Sequence, residues 1–251
     1  MASGLTALDW AAPWYAPWRE TGQAVATRVN AGTPLHEALN QQAQPRAPRF
    51  VAQDALPPDV AYERFVFESR QCPTRAGLHD FFNGVCWLQF PQTKGQLNAL
   101  QAAQIAARGV GSDRGPVRDA VTVFDENGAL LDAPAPLWEA LVARQWHRLF
   151  VDLRPLWAQA RLVLFGHALL EKLVAPRKDM TAHVWRAQVP LASLQGADTA
   201  LAAACSHAWF ASKPFVPLPV LGVPGWWPAN ADAQFYDDTQ VFRPARTTAR
   251  G

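Results

Sequence analysis

Apolar residues recur at helical spacing through most of the central chain. Leu78, Phe81, Phe82, Val85, Cys86 and Leu88 make a broad apolar surface that stops at Pro91. Thr93 then reads as an N-cap, with Gln96 three residues later completing a capping box. Leu97, Leu100, Ala103 and Ala107 carry the period to a stop at Gly109. Pro116 sits where a first helical residue belongs, and Val117, Ala120, Val121 and Phe124 continue the pattern until Asn127-Gly128 closes it. A strand over AVTVF is the alternative for that segment. Pro136 opens another helix, with apolar positions from Leu137 to Phe150. After Arg154-Pro155 the pattern predicts a long helix ending near Val174, apolar almost all round and therefore central and buried.

Strand signals are fewer. Phe65 and Phe67 alternate within YERFVFES (62–69), bounded by Pro57-Pro58 and Pro73, which predicts a short strand. His183, Trp185, Ala187 and Val189 alternate with polar residues and predict another. Asp198 is placed to cap a final Ala-rich helix running to about Ala211. Trp10, Trp14 and Trp18 recur every four residues, on one helical face interrupted by Pro13 and Pro17. From Lys213 to Pro244 the chain carries repeated prolines and no period. The expected organisation is a helical N-terminal arm over 1–45 packed on the main body, a single globular domain over 46–245, and a loose tail over 246–251. The fold class is α+β and predominantly helical: a helical core with a few short strands and an extended Pro/Trp-rich C-terminal wrap.

Composition changes this picture little. At 49% hydrophobic and 18% charged residues, the chain has material for a packed core. Its 23 basic and 21 acidic side chains nearly cancel, which argues against nucleic acid held on a broad basic face. Cys72, Cys86 and Cys205 lie far apart with no C-x-x-C, so neither a disulfide framework nor a thiolate zinc site is indicated, and a reduced cytoplasmic location fits. No apolar stretch approaches the roughly 18–20 residues that span a bilayer, so no membrane partner is expected. MASGLTALDWAAPWYAPW has no early positive charge and does not read as a signal peptide.

Candidate chemistry lies in two helices. His167 and Glu171 are four residues apart, hence on one face, in apolar company that requires the carboxylate to have a partner. An intra-helical pair would raise the imidazole's pKa and lower the carboxylate's. His79 and Asn83 repeat the spacing on the stripe that includes Cys86 and Phe90. If the two helices face each other, two imidazoles, a carboxylate and an amide converge. Such a group could work as a general acid/base pair, or hold a divalent metal, although H-x-x-x-E lacks the second histidine of H-E-x-x-H. The alternative is that both pairs are structural hydrogen bonds fixing how helices cross. Lys94, in the first turn of its helix, is a candidate for an anionic ligand or a solvated surface lysine. Asp125-Glu126-Asn127-Gly128 reads as a helix end. Trp226, Trp227, Asn230, Asp237 and Asp238 are candidates for a cationic or sugar-like ligand, against a core-plugging role for the two tryptophans.

LHDFFNGVCWLQFPQTK (78–94), RGPVRDAVTVFDENGALL (114–131), LFGHALLEKL (164–173), LPVLGVPGWWPAN (218–230) and FYDDTQVFRP (235–244) together form an order of motifs. That order resembles an uncharacterised bacterial family catalogued as domain of unknown function 3025, from about residue 50 to 244. The resemblance implies one contiguous domain and assigns no reaction, ligand or partner. No G-x-S-x-G, P-loop or dinucleotide-binding glycine motif occurs at a useful place, no cofactor is identified, and no metal ligand set is assigned. The reading these observations favour is a non-enzymatic binding or interaction protein with structural buried His/Glu pairs and a small-molecule or protein partner. The alternative is a small-molecule or ester/phosphoester hydrolase using His79, Asn83, His167 and Glu171, with His167 as base and Glu171 as its orienter.

Overall fold

The computed structural model describes residues 5–42, 44–108 and 115–245. The helix stop expected at Gly109 and the tail from Thr247 lie outside them. A turn of 3-10 helix over Pro13–Trp18 leads into α1 (Arg19–Asn30) and α2 (Leu35–Asn40). Trp10, Trp14 and Trp18 therefore do not share one α-helical face, because the two prolines hold that segment in the tighter helix. Trp14, Tyr15 and Trp18 are nonetheless buried in the same apolar cluster as the rest of the chain, and the Tyr15 hydroxyl donates to the Leu170 carbonyl at 2.9 Å.

Next come β1 (Arg49–Ala52), α3 (Tyr62–Ser69) and β2 (Gln71–Thr74). The strand expected over 62–69 is thus a helix. Phe65/Phe67 alternation misleads there: Phe67 is 51% exposed, and the buried residue between the two phenylalanines is Val66. Arg64 and Glu68 pair at i,i+4 (2.8 Å), and the Ser69 hydroxyl donates back to the Phe65 carbonyl (2.7 Å), both helical contacts. β1 and β2 pair in parallel, which demands a crossover, and α3 is that crossover.

The middle of the chain supplies α4 (Leu78–Gln89), α5 (Pro91–Arg108) and α6 (Gly115–Asn127), close to their sequence pattern. Pro91, not Thr93, opens α5, so Thr93 is not its cap. The cap comes from elsewhere: the Asp198 carboxylate accepts the backbone N–H groups of Gln92 (3.0 Å) and Thr93 (2.7 Å). α6 passes at Gly128 directly into β3 (Gly128–Asp132), a strand buried over its first four residues and missed by period counting. A Cβ at Gly128 would collide with the Phe124 carbonyl, so only glycine makes this junction.

The helix opened by Pro136 is α7 (Ala135–Val142). It is shorter than expected because Arg144 takes a left-handed conformation (φ 51°), and a π-helical turn over Arg148–Asp152 follows. The long central helix expected over 155–174 does not form. Its place is taken by a 3-10 turn (Arg154–Gln159), β4 (Arg161–Leu164) and the short α8 (His167–Lys172). An apolar run cannot by itself separate buried strand from buried helix, and Phe165-Gly166 divides the two elements.

The strand expected through His183 and Trp185 forms as β5 (Thr181–Arg186), but it ends before Ala187 and Val189, and Ala182 and Val184 rather than His183 are buried. α9 (Leu194–Ala204) and α10 (His207–Ala211) divide the Ala-rich segment. Ser193 caps α9 through the Gly196 N–H (3.3 Å), the role expected of Asp198. β6 (Val216–Pro219) and several 3-10 turns make up the C-terminal wrap. The larger sheet runs β4-β3-β5-β6, with β3 and β5 parallel and the two edge strands antiparallel to their neighbours. The fold is α+β and predominantly helical, as the pattern indicated, but an edge strand rather than a central helix occupies residues 161–164.

Because Asp198 is 2% exposed and satisfies the α5 N-terminus from 105 residues away, it holds α5 and α9 together. Asp198→Ala is expected to lower stability by about 2 kcal/mol in urea titration. A change under about 0.5 kcal/mol would show that water replaces the carboxylate at no cost.

Candidate active site

A cleft of about 410 Å³ opens among α3, α4, α5, α6 and the start of α8. α5 contributes Lys94, Asn98 and Gln101 to its lining, α3 contributes Tyr62 and Glu63, and α6 contributes Thr122, Asp125 and Glu126. His79, Asn83 and Trp87 of α4 and His167 of α8 also line it.

The two histidines meet there, ring centroids 4.7 Å apart in an edge-on contact. Their partners are not those expected from helical spacing. Glu171 reaches across to α4 and accepts from His79 Nδ1 at 3.0 Å. His167, the first residue of α8, turns the other way and donates Nδ1–H to the Asp125 carbonyl at 2.9 Å. Gly166 makes this approach possible: a Cβ there would strike the backbone of Glu126 and Asn127 at the end of α6. Each Nδ1–H is thereby committed to a fixed acceptor, and each Nε2 is left as a lone-pair acceptor. Asn83 does not join the imidazoles but donates to the Tyr62 hydroxyl (3.2 Å), which also contacts Cys72 Sγ (3.1 Å). Burial pushes the Tyr62 phenol well above its usual value and the Cys72 thiol to about 11, so both stay protonated at neutral pH.

Lys94 is neither solvated nor turned toward an anion at its helix N-terminus, which Asp198 already fills. It is 4% exposed, and its ammonium donates to Asp125 Oδ1 at 2.6 Å. The same ammonium lies 5.7 Å from the centroid of the Trp87 ring. Burial pushes the Asp125 carboxyl up, but the Lys94 ammonium and the neighbouring imidazoles outweigh it and hold the group below the usual carboxylate range. Burial, reinforced by the Lys94 ammonium, pushes His167 down to about 4 against the pull of Asp125. The intra-helical ion pair that would have raised it is absent, and His167 is neutral at pH 7. Among the described residues no group of three or more His, Cys, Asp or Glu side chains is arranged to hold a metal ion.

The structure thus brings His79, Asn83, Lys94 and His167 to one cleft, with Glu171 behind His79. It does not bring the C-terminal candidates there. Asn230 is 1% exposed and ties its own segment, its amide donating to the Leu221 (2.8 Å) and Val223 (2.7 Å) carbonyls. Trp226 packs against Trp14 (6.2 Å between centroids), and Trp227 packs on the core. Asp237 accepts from His147 and Asp238 pairs with Lys178. Sequence reasoning missed Asp125, whose carboxylate and carbonyl both serve the cleft. The only signal was an acid at a helix end, where it was read as a terminator.

Removing one member of a buried ion pair leaves a bare charge, at a cost of about 3–5 kcal/mol. Lys94→Met and Asp125→Leu should each lose about that much in chemical denaturation, while the double variant recovers most of it. Additive losses would show that the pair is not coupled.

Acid titration tests His167. Unfolded, its imidazole takes a proton near pH 6.5, and folded only near pH 4. Between these values the unfolded chain binds a proton that the folded chain refuses, so stability is full above about pH 6.5 and is lost as pH falls toward 4. The loss attributable to this residue is up to about 3 kcal/mol. His167→Asn should flatten the stability profile across that window when urea midpoints are compared at pH 7.5 and 4.5. Parallel wild-type and variant profiles would remove this account.

A family model described as "Protein of unknown function (DUF3025)" matches residues 48–246. Comparison with curated proteins and with solved structures gives no match. Among the described residues no helix is long and apolar enough to cross a membrane.

Proposed function

The chain belongs to the DUF3025 family, whose description names no reaction, and we propose from its geometry that it is a small-molecule hydrolase using general base catalysis at His79. The observation that carries this reading is the edge contact of His79 and His167 in the lining of an open cleft, with both Nδ1 atoms held by other elements. A pair kept only to fix a helix crossing has no need of solvent, yet the His79 side chain is 44% exposed and both rings line the cleft. This favours the enzyme over the binding protein with structural polar pairs.

Glu171 fixes His79 in the tautomer that carries a proton on Nδ1 and stabilises the imidazolium when Nε2 takes another. His167, neutral and with Nε2 likewise without a donor among the described residues, accepts a second hydrogen and holds the attacking water between the two rings. Water then adds to the acyl carbon, its proton passing to His79 Nε2. The bond to the leaving oxygen breaks, and that oxygen receives the proton back from His79. Lys94 gives one N–H to Asp125, and its remaining N–H groups are available to the oxyanion that develops on the former carbonyl. The Lys94 and Arg75 charges in the lining are each matched by an acid, Asp125 and Asp80, so the cleft does not offer unpaired cations to a phosphoester. Carboxylic esters are the better-fitting half of the ester/phosphoester alternative.

The test is turnover of a panel of small carboxylic esters by the wild type, His79→Gln and Glu171→Gln. His79→Gln should lose about 10²–10⁴-fold in kcat with an unchanged Tm. Glu171→Gln should lose less and shift the pH–rate profile. No turnover by the wild type, or turnover indifferent to His79→Gln, would overturn the proposal.

A further inference from the structure

One polar group in the cleft wall takes no part in the ion pairs or the histidine contacts. Trp87 continues the α4 stripe of His79 and Asn83, a further turn beyond Asn83, and is only 3% exposed. Its Nε1–H has no hydrogen-bond partner among the described residues, and it is not sealed in the interior as the indole nitrogens of Trp14 and Trp18 are. Trp146 and Trp157, also buried, give theirs to the Arg243 (2.8 Å) and Leu149 (2.9 Å) carbonyls, as buried indoles ordinarily do. The little of Trp87 that reaches solvent therefore includes its one polar atom, and the space it reaches is the cleft it lines.

Lys94 stands beside it. The ammonium lies 5.7 Å from the centroid of the Trp87 ring and gives one of its N–H groups to Asp125. α4 and α5 thus place a neutral donor and a charged donor on one stretch of lining. Both are held before any ligand arrives, the indole by burial and the ammonium by Asp125, so neither has to reorganise to meet an acceptor. The charges decide which acceptor. Lys94 is matched by Asp125, and Arg75 by Asp80 with Nη2 to Oδ1 at 3.1 Å, so these cations leave no surplus positive charge for a carboxylate. A neutral carbonyl oxygen has two lone pairs and brings no charge. We infer that the Trp87 indole N–H, with Lys94 beside it, is the cleft's donor to the carbonyl oxygen of the substrate. Resting on the hydrolase reading, this deepens it: the substrates are neutral carbonyl compounds bound through that oxygen, and Trp87 is a second donor to the oxyanion assigned to Lys94.

Binding and turnover separate the two claims. Methyl propyl ketone has a carbonyl and no bond to hydrolyse, so it reads recognition alone. In proton–nitrogen correlation spectra of the full chain, the Trp87 indole signal is assigned by its loss in Trp87→Phe. It should move downfield on adding the ketone and stay in place with sodium butyrate at the same concentration. Replacing Trp87 by benzothienylalanine keeps both rings and puts sulfur where the N–H was, which protects the fold. This isostere should weaken ketone binding about five-fold. It should lower kcat toward neutral esters about 10²-fold, with little change in KM or Tm. An unmoved indole signal, a butyrate shift as large as the ketone's, or ketone affinity and ester turnover indifferent to the isostere overturns the inference. If the ketone fails in this way while neutral esters are hydrolysed through His79, the inference alone falls. If the ketone binds through Trp87 and no ester is cleaved, the hydrolase reading falls and the carbonyl site stands.

Discussion

A lysine ammonium removed from water costs several kcal/mol unless a partner stands against it, and Lys94 has one partner that the rest of the cleft is arranged around. Asp125 takes its charge at 2.6 Å, and the same residue's carbonyl takes the His167 ring at 2.9 Å. One residue at the end of α6 therefore fixes α5 through its side chain and α8 through its backbone. Neither charge is favoured by its own helix: Lys94 sits in the first turn of α5, at the positive end of the dipole, and Asp125 in the last turn of α6, at the negative end. Asp198 relieves the first conflict by placing a carboxylate on the α5 N-terminus. A pair that both dipoles oppose is a poor choice for stability alone. What it does supply is a positive charge beside His167 that adds to burial, the larger cause, in keeping that imidazole neutral, with Asp125 pulling the other way.

The position of His167 also depends on two glycines. Gly128 lets α6 run straight into β3, and Gly166 lets the backbone before α8 lie against the end of α6. With β4 antiparallel to β3 and ending at Leu164, the chain leaves the sheet beside the element whose carbonyl it needs. The sheet thus delivers the first residue of α8 to the cleft, and Glu171, one turn later, is carried to the α4 side. Packing of α4 against α8 then closes the His79–Glu171 contact across 92 residues of sequence.

This explains which parts were legible beforehand. α4 and α6 are set by local periodicity, and their patterns identify them, while for β5 the alternation located the strand but not its end or its buried face. α3 was not legible because its two phenylalanines alternate while its burial is helical, and because the parallel pairing of β1 with β2 that requires a crossover is a long-range fact. The residues 161–164 read as helix because an apolar run carries no period to distinguish the two states. Both capping assignments failed for one reason: Thr93 and Asp198 have the right chemistry, but tertiary contact reassigns Asp198 to α5 and Ser193 takes the local role. His79, Asn83, His167 and Glu171 were legible as a group, since ionisable residues in apolar stripes must find partners. Their pairing was not, because i,i+4 spacing shows which side chains share a face and says nothing of what a neighbouring helix offers that face.

The free atoms of the cleft are mostly acceptors. His79 Nε2 and His167 Nε2 have given their tautomeric protons to the far side of each ring. Glu63 and Glu126 add acceptors that carry charge, while the Lys94 ammonium keeps the remaining N–H groups. A ligand that is itself rich in acceptors would meet mainly unpaired lone pairs, so complementarity requires hydrogen on the ligand, such as a water or hydroxyl at the histidines. The buried Lys94–Asp125 pair lies in the same lining, with Asp125 against His167. Its ammonium is the donor suited to the one part of such a substrate that becomes negative during reaction. One ion pair, disfavoured by both helices that carry it, is thereby what makes an acceptor-lined cleft able to stabilise an oxyanion.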